Sequence, residues 1–231
     1  MLKTETYPAW VQGMREVFRA GTLSQFLIYG NVFDLVAHRG DDGLKFYALK
    51  DYLAQVLFGK FDCVLYYSRG AGLKALKGQE TFFKFLKMMD DWNQTSHASS
   101  RLPRDQGQAM ELLDTFLRYS LQRTVIEDGQ AKRDPLRAAV VMDYVQFMAP
   151  ETGGQLNDRS TETLIRLLDW AADPNLLGAQ VATVLITESL AGLARTLVEN
   201  PYNHKVKIPL PGEEDCLEFL EHLAVQYPEL K

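Results

Sequence analysis

The sequence predicts an α/β protein built as a three-layer sandwich, in which helices cover both faces of a mostly parallel, five-stranded sheet. Five short runs consist largely of apolar residues, which is typical of strands buried on both faces of a parallel sheet. Between them lie segments whose apolar residues recur at intervals of three and four, as on one face of a helix. Strands that alternate with helices in this way indicate parallel pairing through helical crossovers.

The length of 231 residues fits one doubly wound domain, so we predict a single domain over residues 1–231. The predicted strands are residues 25–29, 63–67, 138–142, 181–186 and 206–208. The predicted helices are residues 7–19, 46–58, 81–89, 109–122 and 160–172, one that ends near residue 198, and a last one up to about residue 225.

The connecting segments are polar or rich in glycine. A loop opens at residues 69–72, and residues 127–135 form a charged turn. Residues 93–108 carry several serines and offer almost no apolar surface to offset the entropy of ordering, so we predict a mobile loop there. Four lysines could form a basic stripe on a helix after the glycine loop: Lys74, Lys77, Lys84 and Lys87. We prefer the interpretation that they lie on a solvated helix face.

The composition argues against several classes of protein. The net charge of -5 gives no global attraction to nucleic acid or to an anionic membrane. Two distant cysteines, Cys63 and Cys216, provide neither a disulfide framework nor zinc spacing. No apolar run approaches the ~20 residues that span a bilayer, and the first ten residues hold no apolar leader. We therefore expect a cytoplasmic protein without a membrane segment.

Polar residues follow the predicted strands at the points where ligands bind in an open parallel sheet. Gly30 and Asn31 follow the first strand, Asp143 follows the third and Thr187 follows the fourth. Asp143 is the candidate metal ligand, because a carboxylate at a strand end can hold magnesium directly or through water. The alternative is that Asp143 caps a loop or accepts a hydrogen bond from a backbone amide.

The phosphate-binding motif Gly-x-x-x-x-Gly-Lys-Ser/Thr is missing. That motif surrounds phosphate with backbone amides and neutralises it with lysine. After the first strand the chain instead reads from Gly30 to Asp34, with no lysine and with an aspartate that would repel phosphate. Gly70 and Gly72, after the second strand, are more typical of a turn. Nor do the four histidines have metal-ligand spacing.

The second half of the chain resembles the core of AAA+ ATPases. Residues 139–144, which read AVVMDY, are similar to a Walker B strand, and residues 184–188, VLITE, look like the sensor-1 strand. Residues 207–214, KIPLPGEE, look like the last strand of that core and the start of the next helix. The resemblance covers about residues 138–225, whereas residues 1–137 match only in the order of elements.

The resemblance implies a P-loop NTPase-like core of a degenerate kind. Tyr144 stands where active members carry the glutamate that activates water, and no Walker A loop is present. The pattern is similar to the inactive N-terminal AAA-like half of bacterial two-part AAA proteins, in which an intact ATPase module follows. The chain ends just past the last core helix, so the lid domain is absent and we expect either a fragment of a longer protein or a lidless version.

Three functions stay open at this point. The resemblance favours a non-catalytic domain that serves assembly, regulation or partner binding within a larger AAA+ ATPase, with protein partners or self-assembly through an AAA+-type ring. No cofactor is then expected in this chain, and ATP and magnesium would belong to the full-length protein. In such a domain Gly30, Asn31, Asp143 and Thr187 would be a vestigial nucleotide site. The alternative is an enzyme or nucleotide-binding protein with an atypical phosphate site near Gly30, Gly70 and Asp143. A nuclease-like or flavodoxin-like domain that uses Asp143 and Glu188 would need a second acidic cluster.

Overall fold

A computed structural model describes residues 7–41, 43–96, 101–127, 129–152 and 157–226. The strands are β1 (Gln25–Gly30), β2 (Leu35–Gly40), β3 (Gly43–Ala48), β4 (Cys63–Ser68), β5 (Gly72–Lys77), β6 (Thr124–Glu127), β7 (Gln130–Arg133), β8 (Ala138–Met142), β9 (Val181–Ile186) and β10 (Asn203–Ile208). The helices are α1 (Ala9–Arg19), α2 (Leu49–Tyr52), α3 (Gln79–Asn93), α4 (Gln106–Gln122), α5 (Asp158–Ala172), α6 (Pro174–Leu177), α7 (Arg195–Val198) and α8 (Glu213–Gln226). A π-helix, Leu53–Leu57, continues α2.

The central sheet has the strand order β10-β1-β9-β8-β4-β5. The first five of these strands are parallel neighbours, and Ile28 of β1 lies opposite Val206 of β10 and Ile186 of β9. The five predicted strands are therefore present and parallel. The sheet has a sixth strand, β5, which runs antiparallel to β4 at one edge and which the sequence analysis read as loop.

Three antiparallel hairpins replace segments that the sequence analysis assigned otherwise. The turn at Gly70 leads from β4 into β5, and Gly72 adopts a φ of 73° there. The predicted helix over 46–58 begins only at Leu49, because the residues before it form β3, which pairs with β2. The charged turn over 127–135 belongs to the β6–β7 hairpin. Short hairpins lack the long apolar runs from which the five parallel strands were recognised.

Alternate residues of the parallel strands enter two separate cores, so the three-layer architecture is confirmed. Leu65 and Val140 face a core formed with α3, α4 and α5, whereas Val64 and Val141 face a core formed with α1, α2 and the β2–β3 hairpin. Full burial of one such aliphatic side chain contributes about 1.5–3 kcal/mol. These two cores hold the strands in register and thereby position every strand end.

A buried polar network joins β1 to its neighbours at the amino end of the sheet. Gln25 is fully buried, and its Nε2 donates to the Asn203 Oδ1 at 2.8 Å and to the Leu167 carbonyl at 3.0 Å. Its Oε1 accepts a hydrogen bond from the Thr183 hydroxyl at 2.9 Å. The amide of Asn203 in turn donates to the Leu197 carbonyl at 2.7 Å. The network therefore ties three parallel strands to α5 and α7.

The structure also bears on the four lysines and on the segment predicted as a mobile loop. Lys74 and Lys77 lie on β5, whereas Lys84 and Lys87 lie on α3, so the four lysines do not form a stripe on one helix. Of the predicted mobile loop over 93–108, residues 97–100 lie outside the described residues, and α4 begins within it at Gln106. Among the described residues, none of the helices combines the length and apolar character that crossing a bilayer requires.

Candidate site at the carboxyl ends of the strands

Three of the predicted site residues, Asn31, Asp143 and Thr187, directly follow the neighbouring parallel strands β1, β8 and β9. Backbone hydrogen bonds hold these ends side by side, since the Thr187 amide donates to the Ile28 carbonyl at 3.0 Å. The three residues therefore share one edge of the sheet. Any parallel sheet gathers its strand ends in this way, so their shared edge does not by itself define a binding site.

Gly30 ends β1 in a conformation that its close neighbours require. Its φ is 97°, and a Cβ at this position would lie 2.5 Å from the Ile208 carbonyl oxygen of β10. Its amide donates to the Glu188 carbonyl at 3.1 Å. Glycine is thus needed at position 30 because the end of β1 packs closely against Ile208 and Glu188. This requirement explains the glycine without a bound phosphate.

The segment after β1 forms a closed turn instead of a phosphate-binding loop. The Asn31 side-chain amide donates to the Asp34 carboxylate at 2.6 Å, and the Asn31 backbone amide donates to the Ile208 carbonyl at 3.1 Å. The chain then enters β2 at Leu35. The backbone N–H of Asn31 and one of the two N–H groups of its side-chain amide are therefore engaged within the protein.

Asp143 is held by β4 and by the following residue. Its Oδ2 accepts a hydrogen bond from the Tyr66 hydroxyl at 3.1 Å, and its Oδ1 accepts one from the Tyr144 amide at 2.8 Å. Burial raises the pKa of Asp143, although these two hydrogen bonds and the positive charge of Lys50 oppose the rise. The alternative in which Asp143 caps a loop is thus satisfied in the structure, while its role as a metal ligand stays a prediction.

Thr187, the sensor-1-like residue, is only 1% exposed. Its hydroxyl donates to the Ser189 carbonyl at 3.1 Å, which closes the turn after β9. The neighbouring Glu188 is exposed. Among the described residues, no group of three or more His, Cys, Asp or Glu side chains could hold a metal ion. Asp143 would therefore be one carboxylate ligand of a magnesium ion, whose other oxygen ligands would come from water or from a bound phosphate.

Lys50 is a cation that the sequence analysis missed at this edge. Its Nζ lies 5.8 Å from the centre of the Tyr66 ring, and its charge acts on Asp143. Lys50 is exposed and is the second residue of α2, which starts after the unpredicted β2–β3 hairpin. The sequence analysis looked for a lysine directly after β1. Lys50 comes near the strand ends only because the β2–β3 hairpin lies between β1 and α2.

An exposed aromatic group covers the same edge. Tyr144 has a left-handed backbone, with a φ of 59°, and its ring lies 5.9 Å from that of Phe33 and 6.5 Å from that of Phe147. Phe33 and Phe147 are 60% and 59% exposed. Arg69, which directly follows β4, donates to the Phe147 carbonyl at 3.0 Å. We call Phe33, Tyr144 and Phe147 the aromatic cluster.

The fold and this edge together define an AAA+-related α/β domain. A family model described as the N-terminal Rossmann-like domain of AAA+ chaperones matches residues 3–209. The chain belongs to this family, which confirms the resemblance found in the sequence.

Among solved structures, a chain of the E. coli MS115-1 HORMA:CdnC:Trip13 complex is similar over 93% of this chain, with 12% identity and a TM-score of 0.47. The similarity covers 63% of that chain, so the present chain spans less than two thirds of its length. No curated protein sequence matches this one.

Proposed function

We propose that this AAA+-related domain is non-catalytic and serves assembly, regulation or partner binding within a larger AAA+ ATPase. The observation that carries the proposal is the replacement of the phosphate loop after β1 by the closed turn of Asn31 and Asp34, which leads into a hairpin. Phosphoryl transfer depends on positioned donors and on charge stabilisation around the phosphates. A turn that engages the Asn31 backbone amide with Ile208 and the Asn31 side-chain amide with the Asp34 carboxylate is not arranged to supply either.

The residue after Asp143 supports the same proposal. A catalytic carboxylate would have to activate water beside the strand end, but Tyr144 occupies that position and joins the aromatic cluster. The loss of a lysine or of a catalytic carboxylate typically lowers the rate by 10²-fold or more. ATP and magnesium would then act in another module of the full-length protein.

The aromatic cluster is the part of this edge best suited to a protein partner. Aromatic side chains are more frequent at protein interfaces than on the rest of the protein surface. The partner would be another module of the same AAA+ assembly, in keeping with self-assembly through an AAA+-type ring. We place this assembly in the cytoplasm and propose no role for nucleic acid.

Titration calorimetry and a phosphate-release assay test the absence of catalysis. We expect ATP and magnesium to bind the strand-end edge more weakly than about 1 mM, which corresponds to roughly -4 kcal/mol. We also expect no turnover above background. Micromolar affinity that Asp143→Asn weakens, or magnesium-dependent turnover that Asp143→Ala abolishes, would contradict the proposal.

Sedimentation of the full-length protein tests the partner surface. Phe33→Ser together with Phe147→Ser should shift the assembly toward smaller species. Phe83→Ser is a matched control, because Phe83 is 51% exposed but lies on α3, away from this edge. Equal assembly of the cluster variant and the control would show that the aromatic cluster is not part of an interface.

An atypical nucleotide site is the second candidate, and Lys50 is the observation that favours it. The exposed ammonium group near Tyr66 and Asp143 could neutralise a phosphate that reaches the edge from the side of α2. If this function is correct, Lys50→Gln should weaken ATP binding at least tenfold. Lys87→Gln, which removes an exposed charge from α3, should leave that binding unchanged.

A further inference from the structure

A cavity lies at the opposite end of the sheet from the aromatic cluster. It has a volume of about 650 Å³ and is enclosed by α1, the β2–β3 hairpin and the π-helix with the residues that follow it. Phe26 near the start of β1 and Phe61 just before β4 line it, which places it at the amino ends of the strands. Cavities of 300–1,000 Å³ commonly hold small ligands.

The charge of the cavity is opposite to that of the whole chain. Among the residues that the structure describes, four cations line it, Arg15, Arg19, Lys45 and Lys60, against one carboxylate, that of Asp41. The described lining residues therefore carry a formal charge of +3, whereas the whole chain carries -5. A local excess of positive charge in an acidic protein raises the concentration of small anions at that place.

For two of these cations, the described part of the chain supplies no ion-pair partner. Arg19 and Lys60 are exposed at the cavity, and neither forms an ion pair within the described ranges of the chain. The Arg15 guanidinium of α1 lies 3.8 Å from the centre of the Tyr7 ring, a cation–π contact with the residue just before the helix. The cavity thus offers cationic groups that a ligand could bind without displacing a protein carboxylate.

An aromatic wall lies beside these charges. The rings of Phe58 and Phe61 are 4.8 Å apart, and Phe18 lies 5.9 Å from Phe61. The π-helix Leu53–Leu57 leads into this wall, where the Phe58 amide donates to the Leu53 carbonyl at 2.8 Å. Single π-helical turns are rare and are found frequently at functional sites.

A buried nitrogen also lacks a partner at the cavity. His38 of β2 lines it, and the Nδ1 of His38 forms no hydrogen bond within the part of the chain that the structure describes. A buried polar nitrogen without a partner is costly, and a ligand could relieve that cost if the His38 ring turned to bring Nδ1, which is closed to solvent, into the cavity. This feature is independent of the cationic lining.

We propose that this cavity binds a small aromatic anion, with the phosphate or sulfonate group at Arg19 and Lys60 and the ring against Phe58 and Phe61. The proposal concerns the amino end of the sheet and does not depend on the function proposed for the carboxyl end. The two charges select the anionic group and the aromatic wall selects the ring, so molecules that carry only one of these features should bind more weakly.

Fluorescence titration with 8-anilinonaphthalene-1-sulfonate, followed by displacement with 1-naphthyl phosphate, tests the proposal. Arg19→Gln with Lys60→Gln should weaken binding of both probes at least tenfold, because the anionic group loses both of its cations. Lys87→Gln with Lys205→Gln is the matched control, since it removes two exposed charges outside the cavity. The control variant should bind like the wild type.

A second variant tests whether the probes bind inside this cavity, without a change of charge. Gln55 is exposed and lines the cavity, so Gln55→Trp should fill part of its volume and reduce binding of both probes at least tenfold. Circular dichroism of every variant verifies the fold. Equal affinity in the wild type, both cavity variants and the control, or failure of 1-naphthyl phosphate to displace the sulfonate, would overturn the proposal.

Discussion

The hydroxyl of Tyr66 on β4 donates a hydrogen bond to the Asp143 carboxylate at the end of β8, at a distance of 3.1 Å. The backbones of the same two strands meet here as well, because the Asp143 amide donates to the Tyr67 carbonyl at 2.9 Å. Burial, with a contribution from the charge of Asp143, raises the pKa of Tyr66 to about 12, so the hydroxyl remains a donor at neutral pH. The Walker B-like aspartate therefore also links β4 and β8 through hydrogen bonds of its side chain and its backbone.

The removal of this donor should destabilise the domain. Tyr66→Phe leaves a partly buried carboxylate with one hydrogen bond fewer, and we expect a loss of about 1–3 kcal/mol in the free energy of unfolding at pH 7. Urea denaturation measures the change. Tyr202→Phe is the control, because Tyr202 is 45% exposed and should lose under ~0.5 kcal/mol. Equal losses in both variants would mean that the Tyr66 hydrogen bond contributes no stability.

The pH dependence of stability should distinguish Asp143 from Asp62. Burial raises the pKa of Asp143, so its contribution to folding is present below its unfolded pKa of about 3.9 and declines as the pH rises through the folded value. Asp143→Asn removes that decline. The free energy of unfolding of this variant, relative to wild type, should therefore increase between pH 3 and pH 7.

Asp62 is the matched comparison with the opposite sign. Burial alone would raise the pKa of Asp62, but the hydrogen bonds and charge of Arg137 outweigh it and hold that pKa below its usual range. The stability from Asp62 is therefore present above pH ~3.9 and is lost as the pH falls through the folded value. Asp62→Asn should lose stability relative to wild type as the pH rises, as measured by urea denaturation at both pH values. If both variants moved in the same direction, the assigned environments would be incorrect.

Alanine substitution separates the two constraints on Gly30. Gly30→Ala meets both a positive φ and the Ile208 carbonyl oxygen at 2.5 Å, so we expect a loss of about 3 kcal/mol in the free energy of unfolding. Gly21→Ala meets a φ of 66° with no atom within 4 Å and should lose about 1–2 kcal/mol. Thermal and urea denaturation of both variants give the comparison, and a smaller loss at Gly30 than at Gly21 would contradict it.

The parts of the fold that were predictable are those with a long apolar signal. The run before Asp143 and the run before Thr187 are buried on both faces, and their composition alone identified them. The hairpins could not be recognised, because β6 and β7 are short and largely exposed. The same limit explains why Lys50 was missed, since its position near Asp143 depends on the β2–β3 hairpin.

Gln25 illustrates a buried contribution that the apolar pattern does not reveal. Gln25→Ala leaves the Asn203 Oδ1 and the Leu167 carbonyl without their donor and the Thr183 hydroxyl without its acceptor. We expect a loss of about 3–5 kcal/mol in the free energy of unfolding, because both a cavity and unsatisfied polar groups result. Gln12→Ala, at an exposed position of α1, is the control and should change stability by under ~0.5 kcal/mol. A loss below ~1 kcal/mol at Gln25 would show that water replaces the network.

Limited proteolysis with trypsin tests the predicted mobility of residues 93–108. Within the described part of this segment, the Arg104 carbonyl accepts a hydrogen bond from the Tyr67 hydroxyl at 3.0 Å, and the Pro103 carbonyl accepts one from the Leu73 amide at 3.0 Å. Because a protease needs several residues free of such contacts, we expect the first cut after Arg101 rather than after Arg104.

The Tyr67→Phe variant provides the internal control for that expectation. It removes the hydrogen bond to the Arg104 carbonyl but leaves the chain around Arg101 unchanged, so cutting after Arg104 should become faster relative to cutting after Arg101. Mass spectrometry of the early fragments measures the ratio. A first cut in the exposed β7 strand, after Lys132 or Arg133, with residues 93–108 intact, would show that this segment is ordered by contacts and that its polar composition was misread.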